Sequence, residues 1–286
     1  MSERRAPIVL RYLGPPIGLA LIVWAAPLAY ALALSFTDAG PGGAGQLIGP
    51  SNYLRLLGDP LFGRAILASL LFACGAVVLQ VGLGFGLALT ALESPRRKLL
   101  VTLLLLMPWT LSDIAVALVW HEFLGEEGGL LNWLLAQLSL GPLPWKTHAG
   151  FAFGALWIAT LWHGLALSAL LQLAGLASLP NHLLAAARLD GASRLMMLRH
   201  ILLPHQRRML GANALLVWMG AMVSFTLPFA LTGGGPLRAT ELVALFTYRT
   251  AFGGRMELGY ASALGMVILA LYAVFAAMYL RLRRPA

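Results

Sequence analysis

Residues 178–204 read SLPNHLLAAARLDGASRLMMLRHILLP and separate two long apolar runs, Gly150 to Leu176 and Met209 to Leu231. Asn181, after Pro180, is a candidate helix N-cap, and His182 to Leu189 is a short run of good helix formers. Asp190 and Gly191 interrupt it. Gly191 can take a positive φ or let another chain approach closely, and Asp190 can cap a second helix while its charge favours that helix's N-terminus. Leu195, Leu198 and Leu202 then recur at helical spacing, with Arg194 and Arg199 elsewhere, and Pro204 closes the unit. The expectation is a helix-turn-helix at a membrane surface. It can serve as a rigid knob for a partner, or as an interfacial helix whose arginines meet anionic lipid.

The flanking runs each reach the ~20 residues that a membrane crossing needs. Working outward, four further runs do the same, so the expected spans are residues 12–36, 63–92, 99–123, 150–176, 209–231 and 258–280. The expected fold is an all-α integral membrane protein of six helices, with residues 1–286 as one transmembrane domain. Composition agrees: the 286 residues are 59% hydrophobic and 11% charged, with a mean hydropathy of +0.81, against about 25% charged in soluble domains. The run from Tyr12 to Phe36 exceeds the ~7–15 apolar residues of a secretory signal, which predicts a retained first helix. Cys74 is the single cysteine and lies in an apolar stretch, so it offers neither an intrachain disulfide nor a cysteine metal site.

A net charge of +9 suggests nucleic acid in a soluble protein, but here the cations flank apolar runs. Arg4, Arg5 and Arg11 precede the first span. Arg96, Arg97 and Lys98 follow the second, Arg188, Arg194, Arg199, Arg207 and Arg208 follow the fourth, and Arg281, Arg283 and Arg284 follow the sixth. All four segments fall on one side. The opposite loops carry only Arg55, Arg64, Lys146, Arg238, Arg249 and Arg255, together with the acidic pair Glu126 and Glu127. Both termini are therefore expected in the cytoplasm, with membrane lipid rather than nucleic acid around the chain.

The segment at 185–204 resembles the coupling loop of binding-protein-dependent ABC importer permeases. That pattern is Glu-Ala-Ala, two variable residues, Asp-Gly-Ala, and a later Leu-Pro, matched here by Ala186, Ala187, Arg188, Leu189, Asp190, Gly191, Ala192, Leu203 and Pro204. Where the family usually has Glu, this chain has Ala185, which lacks the carboxylate for one polar docking contact. Gly49, Asn52-Tyr53, Asp59-Pro60, Pro108-Trp109, Trp120, Gly129 with Asn132, Ala174-Gly175-Leu176, Leu231 to Pro236 and Ala251-Phe252 resemble the carbohydrate-type branch.

The resemblance implies a type I importer in a prokaryotic inner membrane. This chain would pair with a second homologous permease, above two cytoplasmic ATPase subunits, and receive solute from an extracytoplasmic binding protein. It implies no cofactor on this chain, with ATP and Mg²⁺ on the ATPases. The residues agree: a P-loop needs Gly before Lys-Ser/Thr, whereas Lys98 precedes Leu99 and Lys146 follows Trp145.

Ionisable groups inside spans are costly and often functional, which selects Asp113 and His163 as substrate-path candidates. Gln80, Trp218, Ser224 and Phe225 join them, because amides read hydroxyls and aromatic faces stack on sugar rings. The alternative for all six is helix packing. Thr232, Gly233, Gly234, Gly235 and Pro236 form a conformable turn, by resemblance a binding-protein contact. Two rival readings remain: a proton- or ion-coupled secondary transporter using Asp113 and His163, and an intramembrane enzyme using either residue. Neither accounts for the Asp-Gly-Ala loop.

Overall fold

The structure is a computed structural model that describes residues 5–43, 45–92, 94–126, 128–254 and 256–282. Arg4, Glu127, Arg255, Arg283 and Arg284 of the charge pattern lie outside them. Helix α1 covers Arg5–Ser35, α2 Ser51–Gly58, α3 Pro60–Leu92, α4 Pro95–Trp109, α5 Asp113–Phe123, α6 Leu130–Gln137 and α7 Ala149–Ala177. Then come α8 Asn181–Leu189, α9 Arg194–Met197, α10 Leu203–Met222, α11 Thr226–Leu231, α12 Val243–Phe252 and α13 Leu258–Leu282. Among the described residues, extended pairing is limited to isolated bridges such as Thr37 with Leu47.

Among the described residues, four helices are long and apolar enough to cross a membrane: Gly14–Ser35, Pro60–Leu92, Ala149–Ala177 and Leu258–Tyr279. The two other expected spans are each interrupted. The run at 99–123 breaks at Thr110–Ser112, between α4 and α5, because Ser112 and Asp113 favour a new helix start: the Ser112 hydroxyl accepts from the Ala115 N–H at 3.4 Å. The run at 209–231 breaks at Val223–Phe225, between α10 and α11. Pro228 explains this break, since a helix running through would press its ring on the Ser224 carbonyl and leave that carbonyl without a donor.

The described residues form two compact units, one from residues up to Pro60 with Thr247–Phe275, the other from Leu61–Phe246 with residues from Ala276 onward. In the first, the Asn52 amide donates to the carbonyls of Ser35 at 2.9 Å and Thr37 at 2.8 Å, satisfying the frayed end of α1. The Tyr53 and Ser35 hydroxyls share a 2.6 Å bond, Tyr260 donates to Asp59 at 2.7 Å, and Arg55 pairs with Glu257 at 2.8 Å. From Gly14 to Leu34 of α1 no residue is buried, and Ile22 and Trp24 are 69% and 73% exposed.

In the second unit α7 is the hub. Helices α4, α5, α10 and α11 all pack on it, and α5 also packs against α11. Polar ties run along its length: the Trp157 indole donates to the Phe72 carbonyl at 3.1 Å, Gln80 to Thr160 O at 3.1 Å, Ser168 to Asn213 at 3.3 Å, and Gln206 to the Gln172 carbonyl at 2.6 Å. Interhelical bonds of this kind contribute about 0.6 kcal/mol each in membranes, so together they set helix register more than stability.

Candidate functional site

The two helix breaks open on one cavity. It has a volume of about 390 Å³ and is lined by Trp109 and Asp113 from the first break, Val223, Ser224, Phe225 and Thr226 from the second, and Gln80, Thr160, His163 and Asn213 from α3, α7 and α10. Irregular backbone at membrane depth is tolerated where it lines such a cavity. Five of the six substrate-path candidates thus converge. Trp218 does not: it is 9% exposed, buried in α10, and absent from the cavity wall.

Within the cavity, His163 Nδ1 lies 3.2 Å from Asp113 Oδ1 and its Nε2 lies 3.1 Å from the Leu111 carbonyl. Both ring nitrogens face oxygen acceptors. The Leu111 carbonyl is one that the break releases from helical bonding. Gln80 is 6% exposed and already donates to Thr160 O, with Gly164 making room for its amide. Ser224 and Phe225 supply a hydroxyl and a ring stacked 5.2 Å from that of Phe229.

Sequence reasoning missed Thr160 and Asn213, whose Oγ1 and Nδ2 are buried without a hydrogen-bond partner. A signal was present. Thr160, Gly164, Ser168 and Gln172 recur every fourth residue, which puts small and polar groups on one stripe of α7.

The second candidate site is the surface unit after α7. Asn181 is the first residue of α8, with Pro180 in the cap position. Asp190 ends α8 instead of capping the next helix, and Ser193 is that cap, accepting from the Met196 N–H at 3.2 Å. The physical reason lies in the turn. Gly191 has φ +76, its N–H bonds the Arg188 carbonyl at 3.1 Å, and the Ala192 N–H bonds the Ala187 carbonyl at 2.9 Å. This paired closure is a Schellman motif, which needs a left-handed residue after the helix end and moves the next start to Ser193. Ala192 and Ala187 are half-buried, while Ala185, Ala186, Arg188 and Asp190 are exposed.

Pro204 makes no junction. Helix α9 passes through a π-helical turn, Leu198–Leu202, into α10, so Arg194 to Met222 is one continuous rod, and the fifth expected span starts well before Met209. A wider π turn accommodates the missing Pro204 N–H without breaking the helix. Leu202 packs on Ala88, Ala91, Leu173 and Leu176, whereas Leu195 is 55% exposed. The apolar stripe of the surface unit is therefore sealed only at its membrane end.

Residues 80–284 match the model of the binding-protein-dependent transport system inner membrane component family. The chain belongs to this family. It is a multi-pass membrane permease, similar to the sulfoquinovosyl glycerol transport system permease protein SmoG of Agrobacterium fabrum, 31% identical over 88% of this chain and 80% of that one. It is likewise similar to the trehalose/maltose transport system permease protein MalF of Thermococcus litoralis, 31% identical over 83% and 80%. A chain of the bacterial alginate ABC transporter, solved with a pentasaccharide-bound periplasmic protein, shares the fold with a TM-score of 0.85 at 21% identity, covering 98% of this chain and 95% of that one. This kinship replaces the secondary-transporter and intramembrane-enzyme readings.

In the permease the turn at 232–236 is more ordered than glycine content suggests. Gly233 and Gly234 have φ +57 and +77, and the Thr232 and Thr240 hydroxyls share a 2.8 Å bond across its base. The Gly235 N–H bonds the Thr232 carbonyl at 2.9 Å, and the Gly235–Pro236 bond is cis. Beyond it, Leu237 stands 97% exposed at the tip, beside the Arg238–Glu241 ion pair.

Proposed function

We propose that this permease forms half of the translocation path for a sugar or related polyhydroxylated solute in an ATP-driven importer. The observation that carries the reading is the cavity between the two helix breaks. Its wall combines hydroxyl, amide and aromatic groups, including Thr160 and Asn213 with unpartnered polar atoms, and it contains no lysine or arginine among the described residues. Hydroxyl-rich solutes match such a wall, because each hydroxyl donates and accepts while the ring packs on Trp109 or Phe225. The names of the relatives, which include trehalose, maltose, xylose and arabinose carriers, support the same class.

On this reading the chain crosses a prokaryotic inner membrane six times with both termini cytoplasmic, α4–α5 and α10–α11 serving as broken crossings. The uncovered face of α1 packs against the second permease. The α8–α9 unit docks in the ATPase subunits, where ATP and Mg²⁺ are bound, and the 90% exposed Leu189 beside Asp190 and Gly191 supplies an apolar tip. The continuous rod from Arg194 to Met222 carries ATPase motion straight to the cavity wall at Gly220 and Ala221. The Thr232 to Pro236 turn and Leu237 face the binding protein.

The test is reconstitution of the permease pair with its ATPase and binding protein in liposomes. Uptake of radiolabelled trehalose, maltose, xylose or arabinose should require ATP inside and binding protein outside. Uptake without the ATPase sinks the proposal, and so does an assembled, ATP-hydrolysing complex that moves no member of a wider saccharide and polyol panel.

A further inference from the structure

We propose that a second pocket, at the basic end of α7, holds the phosphate of an anionic phospholipid. The pocket has a volume of about 410 Å³ and lies between the last turn of α7 (Gly175, Ser178) and the first turns of α10 (His205, Gln206, Arg207, Arg208). It is separate from the substrate cavity, with no lining residue in common.

Its level and its charge decide the ligand. The apolar run of α7 ends at Ala177, and Ser178 is the first residue beyond it, on the side where the basic residues gather. No carboxylate lines the pocket, and neither Arg207 nor Arg208 has an ionic partner among the described residues. Two exposed guanidinium groups at headgroup depth, on the side that the positive-inside rule assigns to the cytoplasm, match a phosphate oxyanion that arginine can bind in bidentate fashion.

The pocket is also held in shape. Gln206 is 1% exposed and donates to both the carbonyl and the side-chain oxygen of Gln172, at 2.6 and 2.8 Å. Gly175 permits this, since a Cβ there would meet Gln206 Oε1 at 2.6 Å. His205 Nε2 lies 3.0 Å from Ser178 Oγ and 3.3 Å from the Gly175 carbonyl. His205 and Gln206, consecutive residues on the first turn of α10, are both tied to α7 or its cap, which fixes the backbone that carries Arg207 and Arg208.

The experiment uses the assembled importer in nanodiscs of phosphatidylcholine with a graded fraction of phosphatidylglycerol, and native mass spectrometry counts the lipids retained on release. The wild-type complex should retain phosphatidylglycerol in preference to phosphatidylcholine. R207Q/R208Q should lower that preference roughly 10- to 30-fold, at about tenfold or less per cation near a charged surface. The single variants R207Q and R208Q, each expected to lose part of it, keep the test alive if the double variant fails to assemble. Adding inorganic phosphate to the wild type should leave the lipid bound. Displacement by millimolar phosphate overturns the lipid assignment in favour of a soluble anion. Undiminished lipid preference in the variants overturns the site itself, as does loss of the ATPase subunit with lipid retention unchanged, which would mark the arginines as a protein contact.

Discussion

His163 joins two sides of a broken helix: its Nδ1 lies 3.2 Å from Asp113, the first residue of α5, while its Nε2 lies 3.1 Å from the carbonyl of Leu111 inside the break. One side chain of α7 thus ties the break to the first residue of α5. His163→Ala leaves the Asp113 carboxylate and the Leu111 carbonyl without this partner, and because Asp113 is 61% exposed the loss falls on the geometry of the break more than on stability. Asp113→Asn keeps an acceptor toward the ring. Uptake by the reconstituted importer should therefore fall at least about tenfold in H163A and less in D113N. Equal losses in the two variants would show that the carboxylate charge matters more than the geometry of the break.

Thr160 separates a substrate contact from a packing residue. Its hydroxyl has no partner in the protein, so Thr160→Val should leave the thermal midpoint of the complex nearly unchanged, within about 0.5 kcal/mol for a change that strands no protein group. If the hydroxyl meets solute, the uptake KM rises about 3- to 10-fold while stability holds, the scale of one lost hydrogen bond. Unchanged KM and kcat would remove Thr160 from the path.

The Schellman turn makes opposite demands on neighbouring residues. Gly191→Ala forces a side chain to φ +76 at a cost of roughly 1 kcal/mol, and Gly191→Val costs more, so both should weaken co-purification of the ATPase in that order. Ser193→Ala removes a helix cap, with a loss of about 1 kcal/mol. Asp190→Asn, at the end of α8 where the cap is made by the backbone N–H and not by the side chain, should leave the fold of the unit intact. Any ATPase-binding defect in D190N then reports on docking alone.

Much of the helical architecture was legible because apolar run length is a one-dimensional signal. The extents of α3, α7 and α13 follow from it closely, as does the end of α1, which begins at Arg5 and not at Tyr12, and kinship was readable from Asp190-Gly191-Ala192 and Leu203-Pro204. The two breaks were hidden, since Thr110–Ser112 and Val223–Phe225 are only three residues each and lie inside long apolar runs, and only Pro228 and the Ser112-Asp113 pair betray them. Asp190 illustrates a competition between signals: it is a good cap residue, but Gly191 closes the preceding helix first and moves the cap to Ser193. The arrangement of Thr160 and Asn213 depends on which faces of α7 and α10 meet, which spacing narrows but does not decide.

Asn52 anchors the other unit. Its amide serves the carbonyls of both Ser35 and Thr37, and Asn52→Ala should lower stability by about 2 kcal/mol, read as an earlier thermal transition of the purified complex. Asn52→Asp, which keeps the shape but loses both donors, should be no better than alanine. Rescue by Asp would show that packing, not donation, is what the site requires.

The π turn at Leu198–Leu202 sets the rotational phase between two surfaces of one rod. Each residue added to or removed from a helix turns everything beyond it by about 100°. Because the turn absorbs one residue more than α-helical winding would, the faces of Arg194–Met197 and of Gly220–Ala221 can be matched to different neighbours independently. Removing a single residue from the α-helical part of the rod would swing the surface unit by about 100°, leaving every individual side chain sound and the two surfaces out of phase, whereas a residue removed from the π turn itself would be taken up by the return to ordinary winding.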